Sequence, residues 1–384
     1  MGRGKLILYK KNILYIYFNA RKERIGKNEL SPAEFFYGYE YFRNQKNNVS
    51  VLEFDGNRIK YLTKFLAFLQ KIIIKLFKFQ YEFSGMFRAG KFHKIISNDV
   101  VIATNNRIAH SILPALIYMK FKKINCKTYV IAMGMLNFPK NIFQKKIHIL
   151  LNKFLLLFVE NLIFIGKKEY DMALNIFYKQ KYKIKFLPFG VDKEYWSSNN
   201  IEKNKSAPIL FIGNDSNRDF DFIVKLAKET PEENFLIISD YFEENYFDQF
   251  DLKNVEFYKG SWNKQFLTDE FLKSMYEKAK LTIVPLKNSI QPSGQSVSLQ
   301  SMSMNTPVII TKTEGFWDSK YFVHKKNIYF VEKNTILDWQ NAISELINDE
   351  NMYNSIIANA RKIIEEEFNV QNFSKKLYEL TNIE

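Results

Sequence analysis

Residues 281–311 read LTIVPLKNSIQPSGQSVSLQSMSMNTPVIIT. Two short apolar runs, Leu281–Val284 and Pro307–Ile310, stand on either side of a helix-length segment, Val297–Met304. Between the first run and the helix lies a polar, glycine-bearing loop, Gln291-Pro292-Ser293-Gly294-Gln295-Ser296. Strand, loop, helix, strand is a crossover unit. Strands apolar throughout, rather than alternating, belong to a parallel sheet covered on both faces.

The same form recurs in both directions from this stretch. Toward the amino terminus, Val255–Tyr258, Asn234–Ile238 and Pro208–Ile212 are strands, with a helix over Asp219–Glu229; toward the carboxyl terminus, Ile328–Val331 is another. Helices over Met352–Glu367 and Asn372–Leu380 follow. The first half repeats the style with Ile13–Phe18, Val49–Phe54, Asp99–Ala103 (DVVIA), Thr128–Ala132 (TYVIA), Leu162–Ile165 and Ile184–Leu187. Ser31-Pro32-Ala33-Glu34 reads as a helix start, with Ser31 as N-cap and Glu34 three residues on. The class is α/β, in two Rossmann-like parallel-sheet halves.

Charge divides where the halves meet. Residues 1–190 hold 34 Lys and Arg against 11 Asp and Glu, a net +23; residues 191–384 hold 22 against 30, a net −8. Domains are therefore expected at 1–190 and 191–366, with 367–384 a terminal helix that packs back on the first. In the basic half, Lys60, Lys64, Lys71, Lys75 and Lys78 fall within about 60° of one helical stripe. Phe65, Phe68, Ile72, Ile73 and Leu76 lie among the apolar residues on the rest of that surface. This pattern suits a helix at an anionic membrane surface, and a core-packed helix with a solvated lysine face is the alternative. Further clusters at Lys120/Lys122/Lys123/Lys127 and Lys140/Lys145/Lys146 favour the membrane.

Several classes are excluded. No nucleic-acid-reading motif accompanies the charge. There is no G-x-x-x-x-G-K-[ST] and no G-x-G-x-x-G, against an NTPase or a standard dinucleotide dehydrogenase. The single Cys126 forms no internal disulfide, and His93, His110, His148 and His324 are too scattered for a histidine metal motif. No signal peptide or membrane-spanning run is visible, so a cytoplasmic location, peripheral on the inner face of the membrane, is expected.

Ligands of open α/β sheets bind beyond the carboxyl ends of strands. Three loops qualify. Gly213–Asp219 offers close backbone approach at Gly213 and a guanidinium at Arg218 that can fork onto a diphosphate. Gln291–Ser296 places free amides at a helix start, with Gln300 one turn further on the same face. Thr311–Asp318 carries Gly315 and Asp318. The plain alternative for each is a strand-to-helix turn with ordinary capping.

Together these stretches resemble a retaining glycosyltransferase of the GT-B fold, family 4, also known as glycosyl transferases group 1. Phe186-Leu187-Pro188-Phe189-Gly190-Val191-Asp192 resembles the linker that opens the donor domain; Leu210–Arg218, Val284–Ile309 and Asn327–Val331 follow in family order. The resemblance implies two domains facing a central cleft, a nucleotide-diphosphate-sugar donor, and no cofactor or required metal. Leaving-group stabilisation would fall to Arg218, to Lys287 and to the amides at Ser293–Ser296. Donor binding would engage Gly213, Asn214, Lys287, Gln291, Ser293, Gly294, Gln295, Ser296 and Gln300. The implied acceptor is a lipid-linked or polysaccharide glycan, in cell-surface or lipopolysaccharide assembly. The sequence departs from the family at the two glutamates of the donor segment, whose positions hold Pro292 and Gln300. Asn214 replaces a basic residue, and Asn305 a glycine. A nucleotide-sugar epimerase of the same fold and a non-catalytic membrane or partner-binding protein remain as alternatives.

Overall fold

The computed structural model describes residues 10–18, 21–26, 31–54, 61–79, 81, 90–198, 204–260 and 267–381. Two six-stranded sheets are built, and each pairing within them is parallel. The first contains β1 (Asn12–Phe18), β2 (Asn48–Phe54), β3 (Val100–Ala103), β4 (Lys127–Ala132), β5 (Asn161–Phe164) and β6 (Ile184–Phe186), in the order β2-β1-β3-β4-β5-β6. The second contains β7 (Ile209–Ile212), β8 (Phe235–Ser239), β9 (Val255–Lys259), β10 (Leu281–Val284), β11 (Val308–Thr311) and β12 (Tyr329–Val331), in the order β12-β11-β10-β7-β8-β9.

Apolar runs make these strands because both faces are covered. Ile13, Ile102, Ile131 and Ile163 enter one core, and Leu14, Val101, Val130 and Leu162 enter the other. In the opening stretch, Thr282 pairs with Val308, Ile283 with Ile309 and Val284 with Ile310, and the crossover is the helix Gln295–Ser303. That helix ends at Asn305, whose φ of 55° lies in the left-handed region. Asparagine tolerates this conformation, so it can stand where the resemblance implies a glycine.

Ser31 is not a helix cap. Ala33–Phe36 is a four-residue 3-10 turn entered from Pro32, without a side-chain capping bond. The Ser31 hydroxyl instead donates to Asp269 across the molecule, at 3.2 Å.

The connection between the sheets is crossed by the returning chain. Val191 N donates to Phe368 O and Val370 N to Val191 O. A Cβ on Gly190 would stand 2.2 Å from Asn369 O, so only glycine fits there. The helix Val370–Thr381 then lies on the first domain. Tyr378 meets Phe42 edge-on at 5.0 Å, Phe373 packs on Phe189, and the Tyr129 hydroxyl donates to Thr381 O at 2.9 Å.

The domains are also clamped directly. Arg24 Nη1 donates to both carboxylate oxygens of Asp269, at 2.8 and 3.0 Å, and both side chains are nearly fully buried.

Candidate functional site

In the second sheet the strand order reverses between β7 and β10, and the loops after these two strands are tied together. Arg218 forms an antiparallel bridge with Leu286, Asp219 N donates to Pro285 O, and Lys287 N to Asn217 O. Such a switch point opens a crevice at the carboxyl ends of the strands. Here it faces the first domain across a cleft of about 290 Å³. Phe35, Tyr37, Met133 and Ile165 line it from the first domain; Gly213–Asp215, Arg218, Gln291–Val297 and Gln300 line it from the second.

Arg218 is the main charged feature of this wall. It is 3% exposed, and its Nε and Nη1 have no hydrogen-bond partner among the described residues. Asp215 lies 3.5 Å from Nε. Burial pushes the guanidinium pKa below its ordinary range, and Asp215 pulls it back up. Two glycines make room for it. A Cβ on Gly213 would stand 2.3 Å from Nε, and one on Gly294 would stand 2.8 Å from Nη1. Gly294 begins the helix Gln295–Ser303 with φ 77° and no side-chain cap. Ser293 and Ser296 therefore do not cap it, and the first-turn amides carry the helix's partial positive charge beside the guanidinium.

The other expected donor residues take different places. Gly213, Asn214, Gln291, Ser293, Gly294, Gln295, Ser296 and Gln300 all border the cleft. Asn214 is nevertheless a brace. Its Nδ2 donates to Gly260 O, and its Oδ1 accepts from Ser239 Oγ and Asp240 N, joining the loops after β7, β8 and β9. Ser293 Oγ accepts from Asn217 at 2.7 Å. Pro292 packs on the first domain, where a Cβ on Gly166 would come within 2.8 Å of its ring; Gln291 does the same at Gly134. Gln295 Nε2 donates to Ile165 O at 3.4 Å. Lys287 is exposed and is not among the cleft-lining residues, because its backbone pairing puts Leu286 inward and the next side chain outward. Gly315 is held against Ser289 and Ile290, supporting the same loop.

Sequence reading missed two buried carboxylates. Glu34 and Glu169 are each at most 1% exposed, and burial pushes both pKa values up to about 7. Glu169 accepts from Gly134 N and Leu136 N and so shapes the turn after β4. Glu34 accepts from Gln300, Trp196 and Asp192 N. Only an acidic residue at the start of each segment was visible in sequence, and that reads as ordinary helix-start chemistry.

The basic helix is Tyr61–Phe77. Lys60 and the side chain of Lys64 lie outside the described residues. Lys78 is not on the helix, which has ended by its φ of 52°. Lys71 and Lys75 are exposed beside exposed Phe68, Ile72 and Leu76. The helix end is tied to the helix Ile142–Leu155: Gln144 Nε2 donates to Leu76 O and His148 Nε2 to Phe77 O. That second helix exposes Ile142, Phe143 and Leu150, and Lys145 and Lys146 with them. No helix among the described residues is long and apolar enough to cross a membrane. The described residues hold no group of three or more His, Cys, Asp or Glu suited to a metal.

Two parallel-sheet domains facing a cleft, with an arginine and a helix start at the switch point of the second, define the GT-B class. Residues 192–363 match the family model of the glycosyl transferases group 1. Among solved structures, Anabaena HepE in complex with UDP superposes with a TM-score of 0.61 at 13% identity, over 96% of this chain and 99% of that one. HepE is also known with UDP-glucose. Sucrose-phosphate synthase of Thermosynechococcus elongatus gives 0.65 at 14% identity, over 97% and 98%. A glycosyltransferase of Rickettsia africae gives 0.60 at 14%, over 97% and 98%. No curated protein matches by sequence.

Proposed function

We propose that this chain transfers a sugar, with retention of anomeric configuration, from a nucleotide-diphosphate-sugar to a lipid-linked or polysaccharide acceptor at an anionic membrane surface. The observation that carries the reading is Arg218, a buried guanidinium bordering the cleft, with Nε and Nη1 lacking hydrogen-bond partners among the described residues. A buried guanidinium with N–H groups to spare is costly to leave unpaired and is matched by a diphosphate. The amides at Gln295–Val297 add a second anion-binding feature. Charge develops on the leaving diphosphate as the glycosidic bond breaks, and both features would stabilise it without metal. Ile238, Leu267 and Leu272 supply an apolar wall for a flat base ring.

The exposed apolar residues of Tyr61–Phe77 and Ile142–Leu155, interleaved with lysines, support membrane docking. Met133, exposed and on the cleft wall, opens the loop that leads into the second of these helices, so a lipid-linked acceptor would enter along that rim. Loss of both family glutamates favours a second reading, a non-catalytic binding protein on the same fold.

The test is thermal stabilisation by UDP, GDP, ADP, CMP and dTDP at millimolar concentration, followed by transfer assays with the matching sugar nucleotides. A selective shift with turnover is expected. A shift without turnover on any acceptor would favour the non-catalytic reading, and no shift would reject the donor site.

A further inference from the structure

Gln300 stands where the family resemblance implies a glutamate, and both ends of its amide are held. The Tyr276 hydroxyl donates to Oε1 at 3.1 Å, and Nε2 donates to Oε1 of Glu34 at 3.0 Å. Glu34 belongs to the other domain, in the 3-10 turn Ala33–Phe36. Its Oε1 also accepts from Trp196 Nε1 at 2.7 Å, and its Oε2 from Asp192 N at 3.0 Å. All three donors are neutral.

A carboxamide offers two N–H donors and two acceptor lone pairs. Glu34 occupies one donor of Gln300 and Tyr276 one acceptor, leaving one of each on a residue that lines the cleft. A fixed donor beside a fixed acceptor complements two adjacent hydroxyls. A glutamate at position 300 would instead bring a second carboxylate within about 3 Å of Glu34, where both cannot ionise together. The residue type at 300 is thus set by the residue at 34.

We propose that Glu34 is a positioning residue of the donor site: a carboxylate supplied by the first domain that holds Gln300 to receive the ribose diol of the nucleotide. The inference rests on the nucleotide-sugar reading above. It makes ribose recognition depend on the domains being closed, since the second domain supplies the amide and the first its anchor.

The experiment is a double-mutant cycle over E34Q, Q300E and E34Q/Q300E. Calorimetry would measure affinity for whichever of UDP, GDP or ADP stabilises the wild type most, and for its 2′-deoxy counterpart. Wild type is expected to prefer the ribose form. E34Q should erase much of that preference, although Arg218 still binds the diphosphate. Q300E alone should weaken binding by roughly tenfold or more, through two carboxylates left facing each other. The double variant restores one carboxylate opposite one carboxamide and should recover most of that loss. Additive losses, or an unchanged ribose preference in E34Q, would overturn the role of Glu34. A wild type that binds none of the three nucleotides would instead remove the nucleotide-sugar reading itself, and this inference with it.

Discussion

The guanidinium of Arg218 lies against Gly294, so closely that a Cβ there would stand 2.8 Å from Nη1, at a φ of 77° that side chains avoid. A G294A substitution meets both obstacles. The left-handed backbone costs about 1–2 kcal/mol, and the arginine must move. The folded protein should persist with a lower melting temperature, and nucleotide affinity should fall by roughly tenfold, the worth of one charge-assisted bond. Calorimetry on a folded G294A showing wild-type affinity would exclude Nη1 as a ligand group.

Arg218 itself separates stability from function. Replacing a buried cation that lacks full pairing by an apolar side chain of similar length is often stabilising. R218M is therefore expected to melt at or above the wild-type temperature without ligand, and to lose the nucleotide-induced shift. Transfer should fall about 10²–10³-fold, as when a transition-state donor is removed. Retained transfer activity would exclude the role given to this residue.

At the domain clamp, D269A leaves Arg24 buried without its bidentate carboxylate. Breaking such a pair costs about 3–5 kcal/mol. R24M/D269L removes both charges and should be less destabilised than D269A alone. Denaturant unfolding of the three proteins decides it; equal loss in single and double variants would mean the pair contributes little beyond packing.

Burial raises both Glu34 and Glu169 from 4.5 to about 7. Between these values the folded protein holds protons that the unfolded chain has released, so stability falls as pH rises through the window and is level above it. His110, pushed down from 6.5 to about 4 by burial, acts in the opposite sense between those values. E34Q removes one of the two carboxyl contributions. The melting temperature of wild type minus that of E34Q should therefore be larger near pH 5 than near pH 8. A difference independent of pH would mean that Glu34 stays ionised throughout.

For the proposed membrane contact, K71E/K75E should weaken cosedimentation with anionic vesicles by more than tenfold, at about 1 kcal/mol per basic residue near the surface. F143S should weaken it without the same salt dependence, because it removes apolar insertion and adds no charge. Unchanged sedimentation of both variants would remove this face as the contact.

Sheet and site were legible to different depths. Runs such as TYVIA and LTIV announce parallel strands because burial on both faces demands continuous apolar side chains, a purely local signal. The loop holding Arg218 was legible for a similar reason: an arginine and a glycine follow a strand end. What Asn214, Lys287 and Gln300 do was not legible. Their chemistry is visible in sequence, but whether an amide is already spent on neighbours, or a lysine turned outward, depends on contacts made by the fold. Glu34 is the extreme case. Its partners Asp192, Trp196 and Gln300 lie 158, 162 and 266 positions away, and nothing in SPAE distinguishes it from a helix-start glutamate.

The returning helix Val370–Thr381 has a consequence for biosynthesis. Tyr41 and Phe42, near the start of the chain, are met by Tyr378, and Tyr129 by Thr381. A ribosome adding about 5–20 residues per second needs roughly 10–40 s to travel from the end of the first sheet to that helix. Throughout that interval the nascent first domain has its strands but not its cover. An apolar flank of tyrosine and phenylalanine stands open to chaperones, or to other nascent chains, until the second domain has been made.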